Sequence, residues 1–297
     1  MNYLPFAVLA YLLNSIAVTV DKFLLTRVIP DPLIYIFYFS LVNLLAVLFI
    51  PFVALPGYFV LVFASISACL WTLAAYFMLK ALKAGQVQRV IPVIGTLTSL
   101  VLLGLGAQDK SINTYQAFAI ILLITGLIFL TITSWKGKLG KTEVALEAGS
   151  GLLFALSYYF LRLAFEKGDF LTVLVWSRPV LFPLVLMFLM IPNLRRKIAP
   201  YFHPKIGLVN PSSLLFIFGQ TAAAISELLL NFAISLTSPA IVNSLQGIKY
   251  IFLLIFALLL GSKFPTIFKI NFSKKFLLSQ TAGVSFITSG LYLLATG

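Results

Sequence analysis

The chain has 297 residues, of which 61% are hydrophobic and 10% charged, and its mean hydropathy is +1.07. Soluble domains carry about 25% charged residues, so this composition excludes a soluble globular protein and predicts an all-α polytopic membrane protein. The formal net charge of +13 does not indicate nucleic-acid binding, because the 21 basic residues are scattered among short links and form no basic face. We expect these links to contact anionic lipid headgroups.

Ten apolar runs, each of about 20 residues and long enough to cross a bilayer, follow one another along the chain. Most links between them are short, which makes consecutive spans antiparallel neighbours. The longer links, 192–212 and 261–275, are too short for a soluble domain, and His203 in the first is expected to be an interfacial loop residue. The predicted spans, numbered 1 to 10, are 4–25, 32–54, 58–82, 88–107, 115–134, 144–166, 170–191, 213–236, 239–260 and 276–296.

The basic residues lie predominantly on one side of this arrangement. The links after the odd-numbered spans carry sixteen of them, Lys22 among them, and the opposite links carry only Lys110, Arg162 and Lys167. The positive-inside rule therefore predicts that the odd-numbered links are cytoplasmic and that both termini lie outside. Near the cytoplasmic ends of their spans, Lys80 and Arg89 are expected to face lipid headgroups.

The chain also contains a weak internal repeat of five spans. Spans 3–4 align with spans 8–9 at a shift of 155 residues, and an Asp-x-Leu sequence opens spans 2 and 7 at Asp31 and Asp169. Because five is odd, the second copy must insert upside down, as in the inverted repeats of secondary transporters. The predicted repeats are residues 1–140 and 141–297. Each contains Gln, a small residue three positions later and Gly seven further on, at Gln116, Ala119 and Gly126 and at Gln280, Gly283 and Gly290.

This organisation resembles the EamA branch of the drug/metabolite transporter superfamily. The resemblance covers essentially the whole chain and includes the motif ending each repeat and a Pro in spans 4 and 9, at Pro92 and Pro239. It implies small-metabolite transport, often export, by alternating access. Members commonly end the fourth span of each repeat with Gly-Glu, whereas here Gly106 is followed by Ala-Gln-Asp and Gly261 by Ser-Lys.

Three charged residues lie near the middle of predicted spans, where a charge at the bilayer centre costs roughly 2.5–3.5 kcal/mol on insertion scales. Glu227 and Lys249 flank the turn between spans 8 and 9, each roughly 16 Å below it at 1.5 Å per residue. Arg178 lies about 13 Å below the same face, and Asn14 and Asn43 fall in this layer as well. One layer of the bundle is thus predicted to collect two cations, one anion and two amides.

Helical spacing adds further candidate binding residues. Gln220, Glu227 and Asn231 recur at i, i+7 and i+11 on one face of span 8, and Gln246 precedes Lys249 by three residues on span 9. Pro179 cannot donate a backbone hydrogen bond, so span 7 is predicted to kink beside Arg178. Trp71 is expected to be a packing residue, whereas Tyr158 is expected either to border the cavity or to belong to an interfacial aromatic belt.

These residues support two interpretations. In the functional one, Arg178 and Lys249 attract an anionic group, while Glu227 binds an ammonium or takes up a coupling proton. In the structural one, Glu227 and Lys249 form a buried ion pair that fixes the hairpin of spans 8 and 9.

The functional interpretation predicts a secondary transporter for a small polar metabolite, anionic or zwitterionic, in the plasma membrane. The main alternative is a flippase for a phosphate-linked lipid. A membrane-embedded enzyme ranks third, because the chain offers one intramembrane carboxylate and one loop histidine and no evident metal or cofactor set. The oligomeric state stays open between a monomer and a homodimer.

Overall fold

The computed structural model describes residues 3–29, 31–85, 87–108, 113–131, 140–198, 211–261 and 274–296. Within these ranges the secondary structure is helical and contains no strand. The α-helices are α1 Leu4–Arg27, α2 Pro32–Asn43, α3 Tyr58–Ala84, α4 Val87–Gln108, α5 Thr114–Thr131, α6 Lys141–Phe165, α7 Phe170–Trp176, α8 Leu181–Met190, α9 Pro192–Ile198, α10 Pro211–Leu236, α11 Pro239–Ser244, α12 Gly247–Leu260 and α13 Lys274–Thr296. A 3₁₀ helix, Leu44–Phe52, continues α2.

Nine helical segments in the described part of the chain are long and apolar enough to cross a membrane. Three of them join two consecutive helices, at Pro32–Phe52, Phe170–Met190 and Pro239–Leu260. The predicted fifth span is a shorter apolar helix over Thr114–Leu130. Helices suit a membrane because they satisfy their backbone hydrogen bonds internally, and the hydrocarbon core offers no other hydrogen-bond partners. The protein is therefore an integral, multi-pass membrane protein.

Three helix pairs make the most extensive contacts: α3 with α6, α1 with α10, and α5 with α13. Small residues let the first two pairs approach closely, and hydroxyl groups then bond across to the partner backbone. Ser150 Oγ donates to Ala74 O at 2.9 Å in the α3–α6 pair, and Ser226 Oγ donates to Ala10 O at 2.9 Å in the α1–α10 pair.

The α5–α13 pair is built on the glycine motif that the sequence repeats. A Cβ atom on Gly126 would lie 2.8 Å from the carbonyl oxygen of Gly283, and one on Gly290 would lie 3.0 Å from that of Ala119. Backbone atoms cannot yield as a side-chain end can, so both positions need glycine for this approach. The motif therefore specifies a helix–helix contact.

Asp31 and Asp169, which open spans 2 and 7, cap the helices that follow them. The Asp31 carboxylate accepts from the Leu33 N–H at 2.9 Å and the Asp169 carboxylate from the Thr172 N–H at 3.0 Å. Hydrogen bonds from the Thr172 hydroxyl and backbone hold the pKa of the Asp169 carboxyl below its ordinary value. Both caps satisfy donors that a helix start leaves open.

Lys22 corrects one sequence expectation, because it lies inside α1 and is buried rather than in a headgroup-facing link. Its ammonium donates to Leu82 O at 2.6 Å and Gly85 O at 2.7 Å, at the C-terminal end of α3. Arg162 occupies a similar place at the end of α10, donating to Ile234 O at 3.1 Å and Ser235 O at 3.2 Å. Each cation satisfies helix-end carbonyls that would otherwise lack donors.

Arg89 is a second correction, since it is paired rather than directed at headgroups. Its guanidinium lies 2.8 Å from Glu143 and 3.2 Å from Glu147. Lys80 is exposed, as expected, and its ammonium lies 5.2 Å from the centre of the Tyr76 ring. Several predicted loop residues fall outside the described ranges: Lys110, Lys136, Lys138, His203, Lys205, Lys263 and Lys269.

Candidate functional site

Span 7 is interrupted at the predicted position. Helix α7 ends at Trp176 and α8 begins at Leu181, so the kink expected at Pro179 is confirmed. Across the break the Arg178 N–H donates to Val175 O at 3.2 Å, and the Leu181 N–H donates to Arg178 O at 2.9 Å. These three-residue bonds make a tight turn that carries the Arg178 side chain.

Span 9 contains a second interruption, which the sequence did not predict. Helix α11 ends at Ser244 and α12 begins at Gly247. The Gln246 N–H donates to Asn243 O at 3.1 Å, and the Gln246 side-chain amide donates to Asn243 Oδ1 at 3.0 Å. A cavity-facing amide pair therefore stands at the break, one turn before Lys249.

A cavity of about 260 Å³ lies between the helices at this level. This volume is just below the ~300–1,000 Å³ typical of ligand pockets, so it suits a small ligand or part of a larger one. Seven of the eight predicted binding residues line it: Asn14, Asn43, Arg178, Gln220, Glu227, Gln246 and Lys249. The eighth, Asn231, is buried outside the lining, one helical turn beyond Glu227, and its Oδ1 has no hydrogen-bond partner.

Lys249 is 7% exposed and donates to Asn14 Oδ1 at 3.1 Å. The expected alternative, an ion pair between Lys249 and Glu227, is wrong, because that pair is not among the ion pairs of the described residues. The Glu227 carboxylate instead interacts electrostatically with the Arg178 guanidinium. A neutral amide therefore holds the ammonium, while Arg178 and Glu227 both line the cavity.

The side-chain amides that line the cavity differ in the hydrogen bonds that they already make within the protein. The Asn43 side chain donates to Phe39 O at 2.9 Å, which ties it to its own helix. The Gln220 side chain donates to the Tyr35 hydroxyl at 2.9 Å. Gln246 Oε1 accepts from the Tyr250 hydroxyl at 3.3 Å. Most amide groups are thus fixed by the protein, and the charged groups keep the larger capacity for a ligand.

Sequence reasoning missed two parts of the site. Asp21 is a further carboxylate inside a span, bonded to Tyr35 and lining the cavity, whereas only Glu227 is predicted from the sequence. The adjacent charged residues Asp21 and Lys22, inside an apolar run, are the sequence feature that could have indicated this part of the site. Trp71 also lines the cavity, stacks on Phe39 at 4.9 Å and has a buried N–H without a hydrogen-bond partner. Nothing in its spacing distinguishes it from a packing residue.

One side of the cavity reaches the outer surface of the bundle. Val42 on α2 and Leu228 on α10 line the cavity and are 38% and 41% exposed, and Ala224 is exposed beside them. These two helices meet further down, where Tyr35 and Phe216 are in edge contact at 5.8 Å. Leu228 lies about 12 Å below the end of α10 at 1.5 Å per residue, so the opening is at bilayer depth.

The arrangement can hold a polar ligand of mixed charge. Arg178 and Lys249 present two cationic groups, which suit a carboxylate or a phosphate. The Glu227 carboxylate can hold an ammonium, next to a wall formed by Trp71 and Tyr158 whose ring faces favour cations.

The comparisons with known proteins give a fold likeness and no family. No family model matches the chain, and no curated protein matches it. Solved structures do resemble it. One crystal structure superposes with a TM-score of 0.59 over 96% of both chains, at 13% sequence identity. At that identity the likeness concerns the fold alone.

Proposed function

We propose that the protein is a secondary transporter that moves a small anionic or zwitterionic metabolite across the plasma membrane by alternating access. The observation that carries the proposal is the cavity at bilayer depth, where Arg178, Lys249 and Glu227 converge beside two interrupted helices. Charges in hydrocarbon are costly and mark substrate pathways, and interrupted helices are the usual frame of transporter sites. No catalytic role is assigned to any residue.

An inverted repeat of two five-helix units, residues 1–140 and 141–297, is part of this proposal. The α5–α13 contact supports it, because the Gly126–Gly283 and Ala119–Gly290 contacts exchange when the two copies of the motif are interchanged. The α1–α10 and α3–α6 pairs are likewise exchanged by the repeat. So are the Lys22 and Arg162 contacts with the ends of α3 and α10.

Ten spans arranged in this way would match the EamA branch of the drug/metabolite transporter superfamily, as the sequence resemblance implies. That membership favours export as the direction of transport. The exposed basic residues of the cytoplasmic links would contact anionic headgroups. A soluble small molecule and the lipid bilayer are then the partners of the chain, as a monomer or a homodimer.

Ligand-induced stabilisation of the purified protein tests the proposal. A ligand at 100 times its Kd stabilises the native state by about 2.7 kcal/mol, which a thermal-shift screen of anionic and zwitterionic metabolites would register. Arg178→Gln and Lys249→Met should each abolish the shift, whereas Arg195→Gln on exposed α9 should leave it unchanged. A shift that survives both cavity substitutions would contradict the assigned site.

A flippase for a phosphate-linked lipid is the second candidate, and the side opening favours it. Val42, Ala224 and Leu228 would let an alkyl chain remain in the bilayer while a phosphate contacts Arg178 and Lys249. The discriminating measurement compares a phosphorylated headgroup with the same headgroup carrying an alkyl chain. Stabilisation only by the alkylated compound, lost in Leu228→Trp, would favour the flippase over the transporter of a soluble metabolite.

A further inference from the structure

A second polar cluster lies on the cavity wall. It is closer to the link that follows α1 than the layer of Arg178, Glu227 and Lys249 is. The Tyr35 hydroxyl on α2 donates to the Asp21 carboxylate on α1, and it accepts from the Gln220 side-chain amide on α10 at 2.9 Å. All three residues line the cavity. At 1.5 Å per residue Asp21 lies about 9 Å from the end of α1, which places the cluster within the membrane-spanning part of the bundle.

The cluster joins three helices at the end of the cavity where α2 and α10 still touch. Tyr35 and Tyr38 both make edge contacts with Phe216 of α10, at 5.8 and 6.1 Å. Beyond this level the two helices present the exposed residues of the side opening. The Asp21–Tyr35–Gln220 bonds therefore lie where a separation of α2 from α1 and α10 would extend the cavity.

Within the described residues, Asp21 forms no ion pair although it is only 8% exposed. Lys22, the next residue, donates to Leu82 and Gly85 at the end of α3. On α12, Lys249 donates to Asn14.

The other helices around α1 do not supply a cation either. On α4, Arg89 pairs with Glu143 and Glu147, and on α3 both Lys80 and Lys83 are exposed. The groups that face Asp21 from α2 and α10 are a phenol and an amide, and Glu227 lies two turns further along α10. Among the residues that the structure describes, this carboxylate therefore has no ion-pair partner.

A proton fits this position better than a metal cation does. A divalent metal takes about six or more oxygen ligands. The cluster offers at most two carboxylate oxygens, one hydroxyl oxygen and one amide oxygen, and Asp21 and Tyr35 each already accept a hydrogen bond. A proton needs only one carboxylate oxygen, and water in the cavity can deliver it.

We propose that Asp21 is a proton-binding group of the transporter, separate from Glu227, and that Tyr35 transmits its charge state to α2 and α10. This rests on the proposed transport function. An ionised carboxylate accepts a charge-assisted bond about twice as strong as a neutral one. When Asp21 takes a proton from cavity water, the bond from Tyr35 becomes neutral, so α2 is held less firmly against α1 and α10.

Infrared difference spectra of the purified full chain in lipid nanodiscs, recorded across pH without any substrate, test this directly. The wild-type protein should show a titrating carboxylic-acid carbonyl band that Asp21→Asn removes. Asp169→Asn, which alters a capping carboxylate outside the span, is the matched control and should retain the band. Tyr35→Phe should retain it at a shifted frequency, because the carbonyl then loses its hydrogen-bond donor.

Identical difference spectra for Asp21→Asn and the wild type would overturn the proposal. So would a band that responds to NaCl at constant pH and not to pH, which would indicate a metal cation. If Asp21→Asn does not fold, an unchanged band in Tyr35→Phe overturns it equally. The spectra are recorded without substrate, so they test the protonation of Asp21 independently of ligand binding at Arg178 and Lys249. Either proposal can therefore be contradicted while the other is supported.

Discussion

Lys249 is held by the amide oxygen of Asn14, 3.1 Å away, and Glu227 interacts instead with Arg178. A neutral partner does not offset the charge of an ammonium, so Lys249 can still attract an anion. An ion pair with Glu227 would have cancelled both charges. At the scale of single residues, the charge of Lys249 therefore remains available for a ligand.

A double-mutant cycle between Asn14 and Lys249 tests that contact. Asn14→Leu should lower the free energy of unfolding by about 1–3 kcal/mol, because Lys249 is then buried without its acceptor. Lys249→Met in the Asn14→Leu background should recover part of the loss, with a coupling energy of about 0.5–3 kcal/mol. Denaturant unfolding in detergent micelles measures both values. A larger coupling in the matching Glu227→Gln and Lys249→Met cycle would contradict the assignment.

The pH profile of transport tests the role of Glu227. Glu227→Gln should reduce the pH dependence of uptake into proteoliposomes, because an amide cannot exchange the proton that a cavity carboxyl exchanges. Asp21→Asn together with Glu227→Gln should remove what remains. The control is Glu166→Gln, which alters a partly exposed carboxylate that pairs with Arg162 at 3.4 Å. An unaltered pH profile in Glu227→Gln would exclude it as a coupling group.

At the scale of helices, two kinds of local chemistry shape the bundle. Three-residue hydrogen bonds interrupt spans 7 and 9, and they place Arg178 and Gln246 at turns that face the cavity. Glycines act differently, by letting α5 and α13 approach at Gly126 and Gly283. The interruptions position the site. The glycine contact holds together α5 and α13, which lie away from the site.

The glycine contact predicts opposite outcomes for two similar substitutions. Gly126→Ala should destabilise the protein by about 1–3 kcal/mol, because the added Cβ would overlap the Gly283 carbonyl and Ile287. Gly104→Ala should be neutral or stabilising by up to about 1 kcal/mol, because nothing lies within 4 Å of a Cβ there. Thermal unfolding of both variants measures the difference. Equal destabilisation would show that the α5–α13 contact is not the cause.

At the scale of the whole molecule, ion pairs link segments predicted to lie on the same side of the membrane. Lys197 on α9 lies 3.5 Å from Asp31, and Arg89 lies 2.8 Å from Glu143. On the other side, the Trp176 N–H donates to Ala54 O at 3.1 Å. Each contact joins residues that the span count assigns to one face.

The orientation of the chain is testable with reporter fusions. A reporter active only outside the cytoplasm should be active at the C-terminus, and a cytoplasmic reporter there should be silent. The physical reason is the excess of basic residues in the odd-numbered links, which stays one-sided even without Lys22 and Arg89. The opposite result, a C-terminus in the cytoplasm, would show that the predicted number of spans is wrong by one.

The class of protein, nearly all of the span positions and the layer of charges could be predicted from the sequence alone. Hydrophobic length and the cost of a charge in hydrocarbon are local properties, so Arg178, Glu227 and Lys249 could be assigned to one depth without a structure. Pro179 marked the break in span 7 for an equally local reason, the missing backbone donor.

Which groups are partners depends instead on how the helices pack against one another. Equal depth does not specify rotation about a helix axis, so Lys249 meets Asn14 on α1 rather than Glu227 on the adjacent helix. Asp21 and Lys22 are neighbours in sequence yet point to different helices, one to Tyr35 and the other to the end of α3. The break in span 9, between Ser244 and Gly247, contains no proline that would mark it in the sequence. The opening between α2 and α10 depends on how distant segments pack, which spacing along the chain does not encode.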